Sequence, residues 1–209
     1  MEIGAFTFGD VALSGGVRPA QRIPELIEEI ALADEVGLDV FGLGEHHHPG
    51  FSAPAPPVIL AAAAGRTSRI RLTSAVTVLS SDDPVRVFEQ FTALDLVSQG
   101  RAEIMVGRGA LLDSFRLFGH DMQDYDELFN EKLDLLTQLR TGEPVTWSGR
   151  FRPPLENELV LPRPSQELLP VWVAVGGSPN SAVRGAAHGL PMVLGTVRGT
   201  LAQFSPHPD

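Results

Sequence analysis

A regular alternation of short β-prone runs with helical patterns most strongly restricts the folds open to this chain. The helical patterns carry apolar residues on one face or open at a proline, and they lie at residues 18–36, 56–65, 83–100, 125–140 and 178–189. The β-prone runs lie at residues 3–8, 40–44, 70–79, 102–107, 171–175 and 192–194. Strands and helices in this order predict a parallel sheet whose connections are right-handed crossovers.

Two architectures satisfy this alternation, a doubly wound sheet and a (β/α)8 barrel. A dinucleotide-binding doubly wound domain is expected to carry G-x-G-x-x-G directly after its first strand. The sequence at that position reads FGDVALSGG, which does not match. The mismatch favours an α/β fold of the TIM (β/α)8-barrel type.

Residues 109–170 interrupt the alternation between the fourth and fifth strands. They hold the helical pattern at 125–140, with Asp124 and Glu127 at capping-box spacing, and a proline-rich stretch that predicts a surface excursion with a short hairpin. A βα unit needs about 30 residues, so a full barrel needs roughly 240. The chain has 209 residues and spends many of them on the excursion. We therefore expect a single domain over residues 1–209, a barrel truncated after about six βα units.

Composition and charge exclude several classes of partner. The formal net charge is −10 with a pI near 5.0, so the chain would repel nucleic acid, and no basic run indicates binding to an anionic membrane. The N-terminus lacks the basic leader and apolar core of a signal peptide, which predicts a cytoplasmic protein. The chain has no cysteine, so thiolate metal sites and thiol nucleophiles are excluded.

A run of three histidines follows Glu45 at the end of the second predicted strand, where a barrel carries functional residues. A zinc site needs three or four converging ligands, but neighbours on a strand end point in different directions, so we expect no metal. A hydrogen-bonded pair between Glu45 and one histidine is a structural interpretation. Acid/base chemistry is another, since imidazole titrates near neutral pH.

The turn after the fifth predicted strand, Gly176-Gly177-Ser178-Pro179, is a candidate phosphate site. Glycines allow close approach of a ligand, and a helix that starts here would direct free N–H groups toward an anion. Ser178 and Ser181 add hydroxyl groups on one side of that helix. Arg108, at the end of the fourth strand, supplies a positive charge for the same phosphate. The structural alternative for the turn is a tight βα turn with a serine cap. The structural alternative for Arg108 is a salt bridge at the rim of the barrel.

Four segments together resemble the luciferase-like monooxygenase family, the flavin-dependent barrels related to bacterial luciferase. The resemblance runs along essentially the whole chain, and its most specific segment joins strand three, a D-P-V-R helix start, an S-x-G-R turn and a G-R-G strand end. The segments are GLDVFGLGEHHHPGFSAPAPP, TSAVTVLSSDDPVRVFEQFTALDLVSQGRAEIMVGRG, DSFRLFGHDMQDYDELFNE and GGSPNSAVRGAAHGLPMVL.

The resemblance implies a role for each matching position. His46 matches the active-site histidine beside the flavin, which acts as acid/base or stabilises a flavin–oxygen adduct, and His47 would support it. Ser74-Ala75 matches a strand position where the family often has a non-proline cis peptide against the flavin ring. Arg108 would contact the flavin phosphate or the ring edge. The resemblance also assigns phosphate binding to three residues: Gly177, Ser178 and Ser181.

The resemblance implies an enzyme that uses reduced FMN and O2 to oxidise a small organic substrate, with the flavin reduced by a separate reductase or by NAD(P)H. Ala110-Leu111 and Gly177 depart from luciferase itself, which indicates a general family member rather than a light emitter. Three alternatives stay open: hydride transfer with the deazaflavin F420, flavin binding without turnover, and a metal-dependent hydrolase built on the histidines. Family members are often dimers through early barrel helices, so a homodimer is also an expectation.

Overall fold

The computed structural model describes residues 1–11, 18–109, 113–176 and 179–195. Within them the first half of the chain repeats a strand followed by a helix, and the second half inserts a helical and hairpin segment before the pattern resumes. The elements in chain order are β1 (Gly4–Thr7), α1 (Pro19–Glu35), β2 (Val40–Leu43), α2 (Pro56–Ala64), β3 (Arg71–Ser74), β4 (Thr77–Val78), α3 (Pro84–Ser98), β5 (Ala102–Gly107), α4 (Asp113–Phe118), α5 (Tyr125–Leu139), β6 (Val145–Trp147), β7 (Leu155–Glu158), β8 (Val171–Val175), α6 (Pro179–Ala187) and β9 (Met192–Leu194).

The main sheet is parallel and curls into a half-barrel. Its strands pair in the order β1-β2-β3-β5-β8-β9, and the short strand β4 pairs with β5 beyond the end of β3. The prediction of a barrel-type α/β fold that covers only part of a barrel is confirmed. The parallel pairing also places the carboxyl ends of β2, β4, β5 and β8 along one edge of the sheet.

The core lies between the sheet and the helices α1, α2, α3 and α5. Helix α3 buries Val87, Phe88, Phe91 and Leu94, each at most 1% exposed, against apolar residues of the strands and α5. The helix starts where predicted, because the Asp83 carboxylate accepts hydrogen bonds from the backbone N–H groups of the first turn. Truncating a buried phenylalanine of this kind costs about 3–5 kcal/mol.

The excursion packs on the barrel through polar anchors and a helix. The predicted hairpin is present as the antiparallel pair β6–β7, and the fully buried Asp95 of α3 accepts hydrogen bonds from Ser165 and Gln166. The capping-box prediction is wrong. Asp124 does not cap α5 with its side chain, because its carboxylate and that of Glu127 both pair with the Arg150 guanidinium, at 3.0 and 2.6 Å.

In the part of the chain that the structure describes, no helix combines the length and the apolar character that crossing a membrane requires.

Candidate active site

The buried Glu45 and the partly buried His47 form a pair at the end of β2. The Oε1 atom of Glu45 lies 2.8 Å from Nε2 of His47, and Oε2 accepts a hydrogen bond from the backbone N–H of Val78 at 2.9 Å. Both carboxylate oxygens are therefore used, and the pair ties β2 to β4. The ring of Phe118 meets the His47 ring edge-on, with 5.0 Å between centroids. These two contacts restrict the orientation of the His47 ring.

His46 lies in an aromatic environment on the same rim. Its ring stacks on Phe51 with 4.2 Å between centroids and meets Phe8 edge-on at 4.9 Å. Burial lowers the pKa of His46 from its ordinary 6.5, against the opposing charges of Asp10 and Glu45. A neutral imidazole at neutral pH is able to accept a proton, so His46 has the properties of an acid/base group. The two phenylalanines were not predicted from the sequence, because β1 and the loop after β2 meet only in the fold.

Ser74 is the last residue of β3, and Ala75 follows it in the short connection to β4. The hydroxyl of Ser74 is fully buried and exchanges hydrogen bonds with the backbone of Met105, at 2.8 and 3.2 Å. The non-proline cis peptide bond joins Ala75 to Val76, so the predicted position at Ser74-Ala75 is wrong by one residue. The reason is that the parallel pairing with β2 continues through the Ala75 N–H, which donates to the carbonyl of Leu43 at 2.8 Å.

Three glycines make room for the Ala75–Val76 segment. A Cβ atom at Gly42 would lie 2.8 Å from the Ala75 Cβ, and one at Gly44 would lie 2.9 Å from the Ala75 carbonyl oxygen. A Cβ atom at Gly107 would lie 2.7 Å from Val76. Any side chain at these positions would therefore displace the segment. The three glycines belong to the site although the sequence pattern alone did not select them.

Arg108 and Ser181 meet at the adjacent strand ends β5 and β8. The Nη2 atom of Arg108 donates to Oγ of Ser181 at 3.1 Å, and its guanidinium lies over the ring of Tyr125, 5.0 Å from the centroid. The phenol of Tyr125 donates to the carbonyl of Gly109 at 2.8 Å, and burial raises its pKa, so it stays neutral. The predicted neighbours Ala110, Leu111, Gly177 and Ser178 lie outside the described residues.

A second arginine, which sequence reasoning missed, completes this region. Oδ1 of Asp126 accepts hydrogen bonds from Arg108 Nη1 at 2.5 Å and from Arg184 Nη2 at 3.1 Å. One carboxylate oxygen thus lies between two guanidinium groups beside the Ser181 hydroxyl. The signal in the sequence was the spacing of Ser181 and Arg184, which puts both on one face of α6.

The chain's only lysine, Lys132, is buried beneath the turn that follows β4. Its Nζ donates to the carbonyl of Ser80 at 2.7 Å. Burial lowers the pKa of Lys132 to about 8, although Asp82 and Asp83 oppose the shift, and burial raises the pKa of Asp82. Arg152 binds Asp83 at 3.0 Å. The excursion therefore holds this turn with two cations, next to the Glu45–His47 pair.

These groups follow one another along a single edge of the sheet. Glu45 binds Val78, Val78 pairs with Gly107, and Arg108 follows Gly107. The structure thus brings three features to neighbouring strand ends: the Glu45–His47 pair, the Ala75–Val76 segment, and the contact between Arg108 and Ser181. No grouping of three or more histidine or acidic residues able to hold a metal ion occurs within residues 1–11, 18–109, 113–176 and 179–195.

Comparisons with known proteins identify the family to which this fold belongs. The family model described as luciferase-like monooxygenase matches residues 1–205. The alkanal monooxygenase alpha chain of Photorhabdus luminescens is 32% identical over 171 residues, which cover 81% of this chain and 47% of that protein. The F420-dependent glucose-6-phosphate dehydrogenase of Amycolatopsis mediterranei is 30% identical over 161 residues, which cover 73% of this chain and 48% of that protein.

Among solved structures, the monooxygenase RslO1 from Streptomyces bottropensis superimposes with a TM-score of 0.89 at 30% identity, covering 97% of this chain and 62% of RslO1. The chain spans about half the length of the curated relatives named above. The half-barrel fold, the order of its strand ends and the extent of the family match lead to one assignment. The chain belongs to the luciferase-like monooxygenase family.

Proposed function

We propose that this chain binds FMN through its phosphate and serves flavin-dependent oxidation of a small organic substrate by O2. The single observation that carries the proposal is the contact between Arg108 and Ser181, because it joins a fixed positive charge to a hydroxyl at the start of α6. A guanidinium group presents parallel N–H donors that match two oxygens of a phosphate. The resemblance to flavin-dependent barrels supports FMN as the molecule that carries this phosphate.

The Asp126 carboxylate supports the fit of a phosphate to these residues. This carboxylate accepts hydrogen bonds from two guanidinium groups, so the region already binds one negatively charged group. Aromatic rings behind both guanidiniums, Tyr125 behind Arg108 and Phe129 behind Arg184, favour their orientation toward that charge. In this proposal Arg108, Arg184 and Ser181 hold the phosphate, with Gly177 and Ser178 as further predicted contacts.

His46 and His47 provide the acid/base part of the proposal. Reduced FMN, when bound, would supply the electrons that activate O2. His46 would accept or donate a proton at its imidazole ring, and the surrounding rings of Phe8 and Phe51 would exclude water from it. His47 would be held in place by Glu45. Ser74 and Ala75 would contribute the wall of the site through the Ala75–Val76 segment.

The test begins with the protein as purified. Yellow protein that releases FMN on denaturation, and that consumes O2 when reduced FMN is added, would support the proposal. Protein that binds FMN without O2 consumption would be a flavin binder, and protein that binds neither oxidised nor reduced FMN would contradict the proposal. A separate flavin reductase, a homodimer and a cytoplasmic location stay predictions that accompany it.

A second candidate cofactor is the deazaflavin F420. The dehydrogenase of Amycolatopsis mediterranei, whose name states this cofactor, is 30% identical to this chain. With F420 the reaction would be hydride transfer without O2. Parallel titrations with FMN and F420 decide between the two, since a preference for F420 of about tenfold or more would reassign the site.

A further inference from the structure

The carboxylate of Asp126 occupies the space between the two arginines that the proposed function assigns to phosphate. Oδ1 lies 2.5 Å from Nη1 of Arg108 and 3.1 Å from Nη2 of Arg184. The other terminal nitrogen of Arg108, Nη2, donates a hydrogen bond to the Ser181 hydroxyl. Two guanidinium groups thus converge on one carboxylate oxygen of the chain itself, and one of them also binds the Ser181 hydroxyl.

We propose that Asp126 is an internal competitor that a phosphate group must displace from Arg108 and Arg184 when it binds. The inference rests on the proposed function, whose phosphate site it deepens. It adds a second recognition residue, Arg184, and an acidic residue that opposes binding. The ligand class is a phosphate monoester, of which FMN is the proposed example.

Exposure and charge explain why the exchange is feasible. The Asp126 side chain is 61% exposed, whereas the side chains of Arg108 and Arg184 are 25% and 16% exposed. An exposed carboxylate can move into water at little cost, while the arginines are held by the surrounding rings. A phosphate monoester carries up to two negative charges and three terminal oxygens, so it can satisfy both guanidiniums and the Ser181 hydroxyl together.

Displacement also connects the site to the excursion. Asp126 lies in the first turn of α5, directly after Tyr125, whose ring lies under Arg108. When Asp126 leaves the arginines, its carboxylate stays near the N-terminus of α5, where negative charge is favourable. The free state is therefore stabilised by the Asp126 ion pairs, and the bound state by the phosphate.

The test compares D126N with D134N, using inorganic phosphate, FMN and riboflavin as probes in calorimetric or fluorescence titrations. Asp134 is exposed on the same helix, so D134N removes the same charge without touching the arginines. We expect D126N to bind phosphate and FMN about fivefold more tightly or better, riboflavin to be unaffected, and D134N to stay within about twofold of the wild type. R184Q in the D126N background should abolish the gain.

Weaker or unchanged phosphate binding by D126N would overturn the inference, because Asp126 would then be orienting the arginines or be irrelevant to them. A second variant, D126E, keeps the competing charge and should not show the gain. The outcomes separate the two proposals. Wild-type protein that fails to prefer FMN over riboflavin contradicts the proposed function, whereas D126N that gains no phosphate affinity contradicts the displacement alone.

Discussion

Arg108, the residue after β5, and Ser181 of α6 are in hydrogen-bonding contact, with 3.1 Å between Nη2 and Oγ, although 73 positions separate them in the chain. The contact exists because β5 and β8 pair in parallel, which brings their carboxyl ends side by side. It connects the two features that were separate candidates for phosphate binding in the sequence. The proposed site depends on this pair.

Replacing Arg108 with alanine should weaken FMN binding by about tenfold or more, since a hydrogen bond to a charged group contributes about 1.5–3 kcal/mol. Riboflavin binding should change little, because riboflavin carries no phosphate. Flavin fluorescence titration measures both. Arg116 lies on α4 with its side chain 82% exposed, so R116A is a control for the loss of one charge. Equal losses in the two variants would exclude a specific role for Arg108.

Replacing His46 with alanine should lower turnover by about a hundredfold while FMN remains bound, because a general acid/base group contributes about 10²–10⁴-fold. The exposed neighbour His48 provides the control variant H48A. Burial lowers the pKa of His46 below 6.5, so the neutral form extends to lower pH than in an exposed histidine. If His46 acts as a base, the pH–rate profile of the wild type should fall only below about pH 6.5. Wild-type rates in H46A would exclude the role.

Lys132 predicts an unusual dependence of stability on pH. Its pKa is lowered from 10.5 to about 8 in the folded protein. Between these values the unfolded chain holds a proton that the folded chain has lost, so the free energy of unfolding rises with pH. The slope is at most about 1.4 kcal/mol per pH unit. The free energy of unfolding of the wild type minus that of K132M should therefore rise from pH 8 to 10.5.

Urea denaturation at a series of pH values measures this difference, and titrating groups far from Lys132 cancel between the two proteins. Because the chain has one lysine, labelling with ¹³C-lysine also gives a single side-chain signal whose titration can be followed directly. Parallel stability curves, together with a lysine signal that titrates above pH 10, would show that Lys132 is an ordinary solvated lysine.

Much of the fold could be predicted from local patterns. The runs 102–107, 171–175 and 192–194 coincide with β5, β8 and β9. The last two are uninterrupted apolar runs between a proline and a glycine, which is typical of buried parallel strands. The third run, 70–79, divides into β3 and β4 around the Ala75–Val76 bond. Periodicity carries no information about that division, since β-branched residues occur on both sides of it.

The site was predicted only in part, because its remaining members are defined by contacts between distant segments. His46, Arg108 and Ser181 stand at strand ends or helix starts that a pattern reveals. Asp126 and Arg184 are 58 positions apart and meet only through the packing of α5 and α6. The burial of Lys132 could have been predicted from the sequence, because this residue interrupts the apolar face of α5 that Phe129, Leu133 and Leu136 form.

The central claim is that the side chains of Arg108, Arg184 and Ser181 bind a phosphate group. The most direct measurement is the ratio of dissociation constants for riboflavin and FMN, determined by fluorescence titration of the wild-type chain at low ionic strength. These two ligands differ only in the phosphate. We expect FMN to bind at least about tenfold more tightly than riboflavin. Equal affinity for both ligands would contradict the account.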